Sequence, residues 1–171
     1  GGAVLEHAYC AISYDSLTKT GGIITAINSI FRNNKVSIQL HYYRNFLSNA
    51  PKGNVSYINN CTFEIDNNYR GEAINQPFSS HLAMYAVEGI PITGCRFYNR
   101  SSFGKRGYGI FSLNAGYNVT PYCTIPSTST CTGTLIKNEF IGFLCGILAE
   151  CDGNGYLEAI TVNDAQFDSN S

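Results

Sequence analysis

Arg96 stands between two glutamate-bearing neighbours in a recurring pattern. Thr62-Phe63-Glu64, Arg96-Phe97-Tyr98 and Glu139-Phe140-Ile141 hold equivalent places in three similar stretches of the chain. If those stretches lie side by side as strands, the residues flanking each Phe share the face opposite to it. Arg96 then lies beside Glu139 and diagonal to Glu64, with Tyr98 adjacent. Such a cluster can grip the hydroxyls of a sugar, and with Ca2+ neutralising a uronate it can also serve proton abstraction in β-elimination. The plainer reading is a solvated strand face, on which alternating charges keep the sheet soluble and each pair contributes little. That reading carries more weight. Lyase chemistry needs several carboxylates converging on the cation and hydrolase chemistry needs paired carboxylates, yet the outward columns hold no Asp-Asp pair. No catalytic residue is therefore assigned. Arg96, Glu139 and Glu64 stand as the catalytic alternative, with Ca2+ as its cofactor, while Tyr98, Arg96, Tyr43 and Phe46 are the binding candidates.

The remaining reactive side chains point to structure first. His7 falls at a bend, and His41 and His81 lie at strand ends beside aromatics, each without a proton-transfer partner legible in the chain. Cys10, Cys61 and Cys95 fall on inward columns, where a free thiol behaves as a small hydrophobe. Cys123 and Cys131 bracket a Thr/Ser-rich loop and are the disulfide candidates, since such a bridge offsets the entropy of closing the loop. Cys145 and Cys151 can pair around a turn or lie on the core face. No cysteine or histidine spacing matches a metal site. Tyr42, Tyr43, Phe46, Tyr69, Tyr117 and Tyr122 read as loop aromatics, better placed as lids over a core than as sugar platforms.

What must position these residues is a phrase that recurs six times. An apolar pair precedes a bend residue, then come a small residue, a spacer and a large apolar residue. The bend column is His7, Asn28, Asn60, Gly94, Lys137 and Asp164, dominated by residues that enter the left-handed region cheaply. Leu5, Ala26, Ile58, Ile92, Leu135 and Val162 stand three residues before Ala8, Ser29, Cys61, Cys95, Asn138 and Ala165. A straight strand would put those columns on opposite faces, so both face inward only if the chain turns a corner. The last column, Cys10, Phe31, Phe63, Phe97, Phe140 and Phe167, is expected to stack about 4.8 Å apart as an aromatic spine. The fold expected is all-β, a parallel β-solenoid of about six coils with some three short strands each, the shortest coil spanning about 21 residues. Insertions are expected at 42–54, 70–80, 101–107 and 114–133.

In a chain of 171 residues, 44% apolar and 13% charged content argue for one folded domain with a substantial core. Eleven basic against 12 acidic residues give a net charge of −1, no electrostatic footprint for nucleic acid. No apolar run is long enough for a membrane span. The chain starts and stops within repeats, so residues 1–171 are read as a segment of a longer protein.

Ile58-Asn59-Asn60-Cys61-Thr62-Phe63 and Ile92-Thr93-Gly94-Cys95-Arg96-Phe97, with the glycine-led Gly109-Ile110 and Gly146-Ile147, resemble the right-handed parallel β-helix, or pectate-lyase-like, superfamily. Leu5-Glu6-His7-Ala8-Tyr9 is similar to phrases in large bacterial surface proteins such as type IX secretion cargo. The resemblance implies a secreted or cell-surface protein with a polysaccharide or another surface protein as partner. The fold hosts polysaccharide lyases, glycoside hydrolases, tailspikes and non-catalytic adhesins, so it does not choose among them. The expectation is a non-catalytic stalk or interaction surface, with a lyase or hydrolase of acidic polysaccharide as the alternative. Asn-x-Ser/Thr tripeptides at Asn54, Asn60, Asn99 and Asn118, and Asp15-Ser16-Leu17, are candidate glycan sites.

Overall fold

The computed structural model describes residues 2–13, 23–41, 56–127, 130–153 and 159–168. They are all-β with one short 3-10 turn, Glu72–Ile74, and the chain visits three parallel sheets in rotation. With strands numbered in chain order, the first sheet stacks β1 (Val4–Glu6), β4 (Ile30–Arg32), β7 (Thr62–Ile65), β10 (Arg96–Asn99), β15 (Glu139–Ile141) and β18 (Gln166–Asp168). The second stacks β2 (Cys10–Ser13), β5 (Val36–His41), β8 (Ser80–Tyr85), β11 (Tyr108–Leu113) and β16 (Cys145–Glu150). The third stacks β3 (Thr25–Ile27), β6 (Tyr57–Asn59), β9 (Glu88–Thr93), β12 (Gly116–Thr120) and β17 (Ile160–Val162). No helix among the described residues is long and apolar enough to cross a membrane.

The aromatic column forms. Phe31, Phe63, Phe97, Phe140 and Phe167 are register partners on successive strands. Their rings lie 4.8, 4.8, 4.6 and 4.9 Å apart and within 10° of parallel. Parallel strands in register impose this spacing, and each internal ring gains burial plus offset stacking on two sides. Phe63 and Phe97 are fully buried, whereas Phe167 at the end of the column is 53% exposed. Ile58, Ile92 and Val119 of the third sheet and Ile38, Leu82 and Ile110 of the second close the core from the other directions.

The glycines near the start of two strands have a packing reason. Register places Gly109 opposite His81 on β8, and a Cβ there would come within 2.7 Å of the Phe140 ring. A Cβ on Gly146 would come equally close to the Phe167 ring. Both strands carry glycine at their second position, where the spine leans over them.

Asn28, Asn60, Gly94 and Asp164 all have positive φ, the corner between the third and first sheets. Two other members of the bend column belong elsewhere. His7 has φ 59°, but it sits at the corner between the first and second sheets, with Asn33 (54°) and Gly142 (84°). Each of those three N–H groups donates to a residue of the next strand, Arg32, Glu64 and Asp168. The first phrase is therefore shifted, because both corners use the same local chemistry. Leu5, not Cys10, is the partner of Phe31, and Cys10 opens the second sheet against Val36. The shortest repeat is consequently longer than 21 residues: Ala8 and Asn34, bonded at the same corner, are 26 apart.

The fifth phrase is also displaced. Gly116–Thr120, expected inside the insertion 114–133, is β12 of the third sheet, and Val119 rather than Leu135 is the partner of Ile92 and Val162. Tyr117 is accordingly a core residue, not a loop aromatic. The chain then leaves the sheet after Thr120 for an antiparallel pair, β13 (Tyr122–Cys123) and β14 (Leu135–Ile136), clipped by a Cys123–Cys131 disulfide. Lys137 is not a bend residue but an exposed partner of Asp164 at 2.6 Å. The fully buried Asn138 repairs the break. Its Oδ1 accepts from the Cys95 N–H at 2.8 Å, and its Nδ2 donates to the Thr120 carbonyl at 2.6 Å. A backbone ladder interrupted by an excursion is satisfied by a side-chain amide carrying both a donor and an acceptor.

Candidate functional site

The outward face of the first sheet gathers the charged side chains. Glu6, Arg32, Glu64 and Tyr98 are successive register partners in one row, and Thr62, Arg96 and Glu139 form the neighbouring row. Alternation places them there: each flanks an inward Phe or Leu5, so its side chain emerges on the opposite face.

Within this face the arginine that lies nearest Glu64 is Arg32. Its Nε donates to Glu64 Oε1 at 2.5 Å, while its Nη1 lies 3.7 Å from Glu6. Arg100 approaches the other Glu64 oxygen at 3.8 Å, and its guanidinium lies 4.3 Å over the Tyr98 ring. The Tyr98 hydroxyl donates to Glu139 at 2.5 Å. Burial, then the hydrogen bond to the Glu139 carboxylate, push the Tyr98 phenol up to about 12. The hydrogen bond to Glu64 and its charge raise the Arg32 pKa. At Asp66, partial burial favours the neutral form, but N–H donors of Asn68 and Asn33 outweigh it and hold the carboxyl below its usual range.

A polar cleft of about 700 Å³ opens over one end of this row, with Glu6, Arg32, Glu64, Asp66, Arg70 and Arg100 among its walls. Three carboxylates and three guanidiniums line it, and Glu6, Arg32, Glu64 and Arg100 alternate in sign along it. This arrangement suits hydrogen bonding to hydroxyl groups of either polarity, since each charged group presents donor or acceptor capacity beyond its own pairing.

The residues singled out from the sequence are thus brought to one face, but in a different pairing. Arg96 lies in register between Thr62 and Glu139, Glu64 turns to Arg32 and Arg100, and Glu139 turns to Tyr98. Tyr43 and Phe46, with the whole insertion 42–54, lie outside the described residues. Arg32 was legible as the same-row neighbour of Glu64. Glu6 was hidden by the shifted first phrase, and Asp66, Arg70 and Arg100 come from turns and loops that no column rule places. Among the described residues, no three His, Cys, Asp or Glu side chains come together as a metal site would require.

His81 is a core residue. It is fully buried among Phe63, Phe78, Phe97 and Phe143, with Nδ1 3.1 Å from the Ser37 hydroxyl. Nε2 has no well-formed hydrogen bond, and the nearby Tyr98 backbone offers only a weak contact. Desolvation drives the imidazole pKa down to about 3, so it is neutral at ordinary pH. Cys61 and Cys95 are buried free thiols at successive corners, just before β7 and β10, donating to Asn59 and Thr93 carbonyls.

No protein-family model, no curated protein and no solved structure matches this chain.

Proposed function

We propose that this chain is a right-handed parallel β-helix of a secreted or cell-surface protein, acting as a rigid, non-catalytic scaffold whose polar cleft binds polysaccharide. Three parallel sheets visited in rotation around one aromatic column support the helical winding, and crossover connections between parallel strands are almost always right-handed. The Cys123–Cys131 disulfide fits an oxidising compartment.

The observation that carries the binding role is the chain of ion pairs Glu6–Arg32–Glu64–Arg100 along the cleft. Groups already held by one another are pre-oriented for hydrogen bonding and are poorly disposed to abstract a proton. The test is electrophoretic retardation in gels containing neutral or uronate-bearing polysaccharides. Retardation by one polysaccharide class, lost in Arg100→Ala and Arg32→Ala variants, supports the reading. Unretarded migration in every gel counts against it. The second reading, β-elimination from an acidic polysaccharide, rests on Arg96 beside Glu139. It is favoured if polygalacturonate with Ca2+ yields unsaturated product that is lost in Arg96→Ala.

A further inference from the structure

A second cleft lies away from this face, where two loops meet the start of the second sheet. It encloses about 540 Å³, within the range of roughly 300–1,000 Å³ usual for small-molecule sites. Its walls are built on a backbone ladder. The Ser79 N–H donates to the Lys35 carbonyl at 3.2 Å, Tyr108 to Ser79 at 2.9 Å, and Leu144 to Gly107 at 3.2 Å.

Both loops are pinned. The Tyr69 hydroxyl donates to the Gln76 carbonyl at 2.7 Å, holding residues 70–79. Asn99 donates to the Arg106 carbonyl and Arg106 to the Ser101 carbonyl, both at 2.6 Å, holding residues 100–107. Phe78 is buried against His81 and anchors the floor. The cleft is therefore formed before any ligand arrives.

Its chemistry is one-sided. Lys35, Lys105 and Arg106 line it with no Asp or Glu, while Pro77, Phe78, Tyr108 and Leu144 give it an apolar surface. Among the described residues neither Lys35 nor Lys105 pairs with a carboxylate; the Lys35 ammonium rests 4.3 Å over the Tyr9 ring, 3.2 Å from its hydroxyl. Leu144 is 74% exposed and gives the cleft an apolar rim.

We propose that this cleft is a binding site for small organic anions with an apolar ring body. The anionic group meets Lys35 and Lys105, and the ring lies against Pro77, Tyr108 and Leu144. Charge-assisted hydrogen bonds supply orientation, and the apolar wall supplies most of the buried area.

The test uses two fluorescent probes with the same aromatic body, anilinonaphthalene sulfonate and neutral phenylnaphthylamine, titrated into the whole chain at low salt. The proposal expects saturable binding of one sulfonate per chain, about tenfold tighter than the neutral probe, as one charge-assisted contact provides. Lys105→Gln and Lys35→Gln should each weaken the sulfonate several-fold and leave the neutral probe unchanged. Leu144→Ser, at an exposed position, should weaken both. Arg100→Ala, in the polysaccharide cleft, should alter neither, so this site stands or falls apart from that reading. Equal affinity for the two probes, indifference to the lysine substitutions, or fluorescence that rises only as near-UV dichroism is lost overturns the proposal.

Discussion

Acidification should unfold this protein through His81, and the effect can be isolated. The imidazole sits at about 3 in the folded state because burial penalises its charged form, against about 6.5 in an unfolded chain. Ser37 and the rings of Phe63, Phe78, Phe97 and Phe143 surround it, and no carboxylate is among these neighbours. Between those two values the unfolded chain carries one more proton than the folded one. The contribution of neutral His81 is thus intact above pH 6.5 and is lost as pH falls toward 3, at about 1.4 kcal/mol per pH unit. From pH 6.5 to 4.5 the loss is on the order of 2–3 kcal/mol, a large part of a marginal stability. The measurement is urea unfolding at a series of pH values, followed by far-UV dichroism because the chain has no tryptophan. His81→Asn keeps a polar group facing Ser37 but does not titrate. It should be less stable at pH 7, yet its stability should fall more slowly with acid, by close to one proton's worth of slope. Carboxylates such as Asp66 titrate in both proteins and cancel in the difference. Parallel stability-against-pH lines for the two proteins would refute the reasoning.

Two further outcomes follow from the core. Phe97→Ala, which removes a fully buried ring stacked on both sides, should cost about 3–5 kcal/mol by chemical denaturation, whereas Phe167→Ala at the exposed end of the column should cost about 1–2 kcal/mol. Equal losses would mean the column is not a continuous packed spine. Asn138→Ala orphans the buried Cys95 N–H and removes one of two donors to the Thr120 carbonyl, which keeps the Gly94 N–H, so a loss of about 1–3 kcal/mol is expected, together with faster amide exchange at Cys95. Unchanged exchange there would show that Asn138 does not hold the sheet to its excursion.

Much of the parallel stacking was legible because it is written in local chemistry repeated at intervals. Alternation set which side of each strand faces inward, residues that tolerate positive φ marked the corner at Asn28, Asn60, Gly94 and Asp164, and the phenylalanines named the column. Inward positions such as Ile58, Ile92 and Asn138 needed nothing beyond period two and one corner. The outward candidates around Arg96 followed from the same alternation, which also explains why they were found together on one face.

Register was decided only in three dimensions. His7 and Asn28 take the same backbone conformation at different corners, so the phrase around Leu5 fits either, and backbone partners such as Arg32 choose between them. Leu135 matched the inward pattern as well as Val119 did, but only Val119 has Ile92 on one side and Val162 on the other. The pairing of Glu64 with Arg32 and Arg100, and the gathering of Lys35 and Lys105 around one cleft, join residues far apart in the chain. A sequence states what each residue prefers within a few neighbours; which distant strand completes its hydrogen bonds and covers its side chain is settled by packing the whole stack at once.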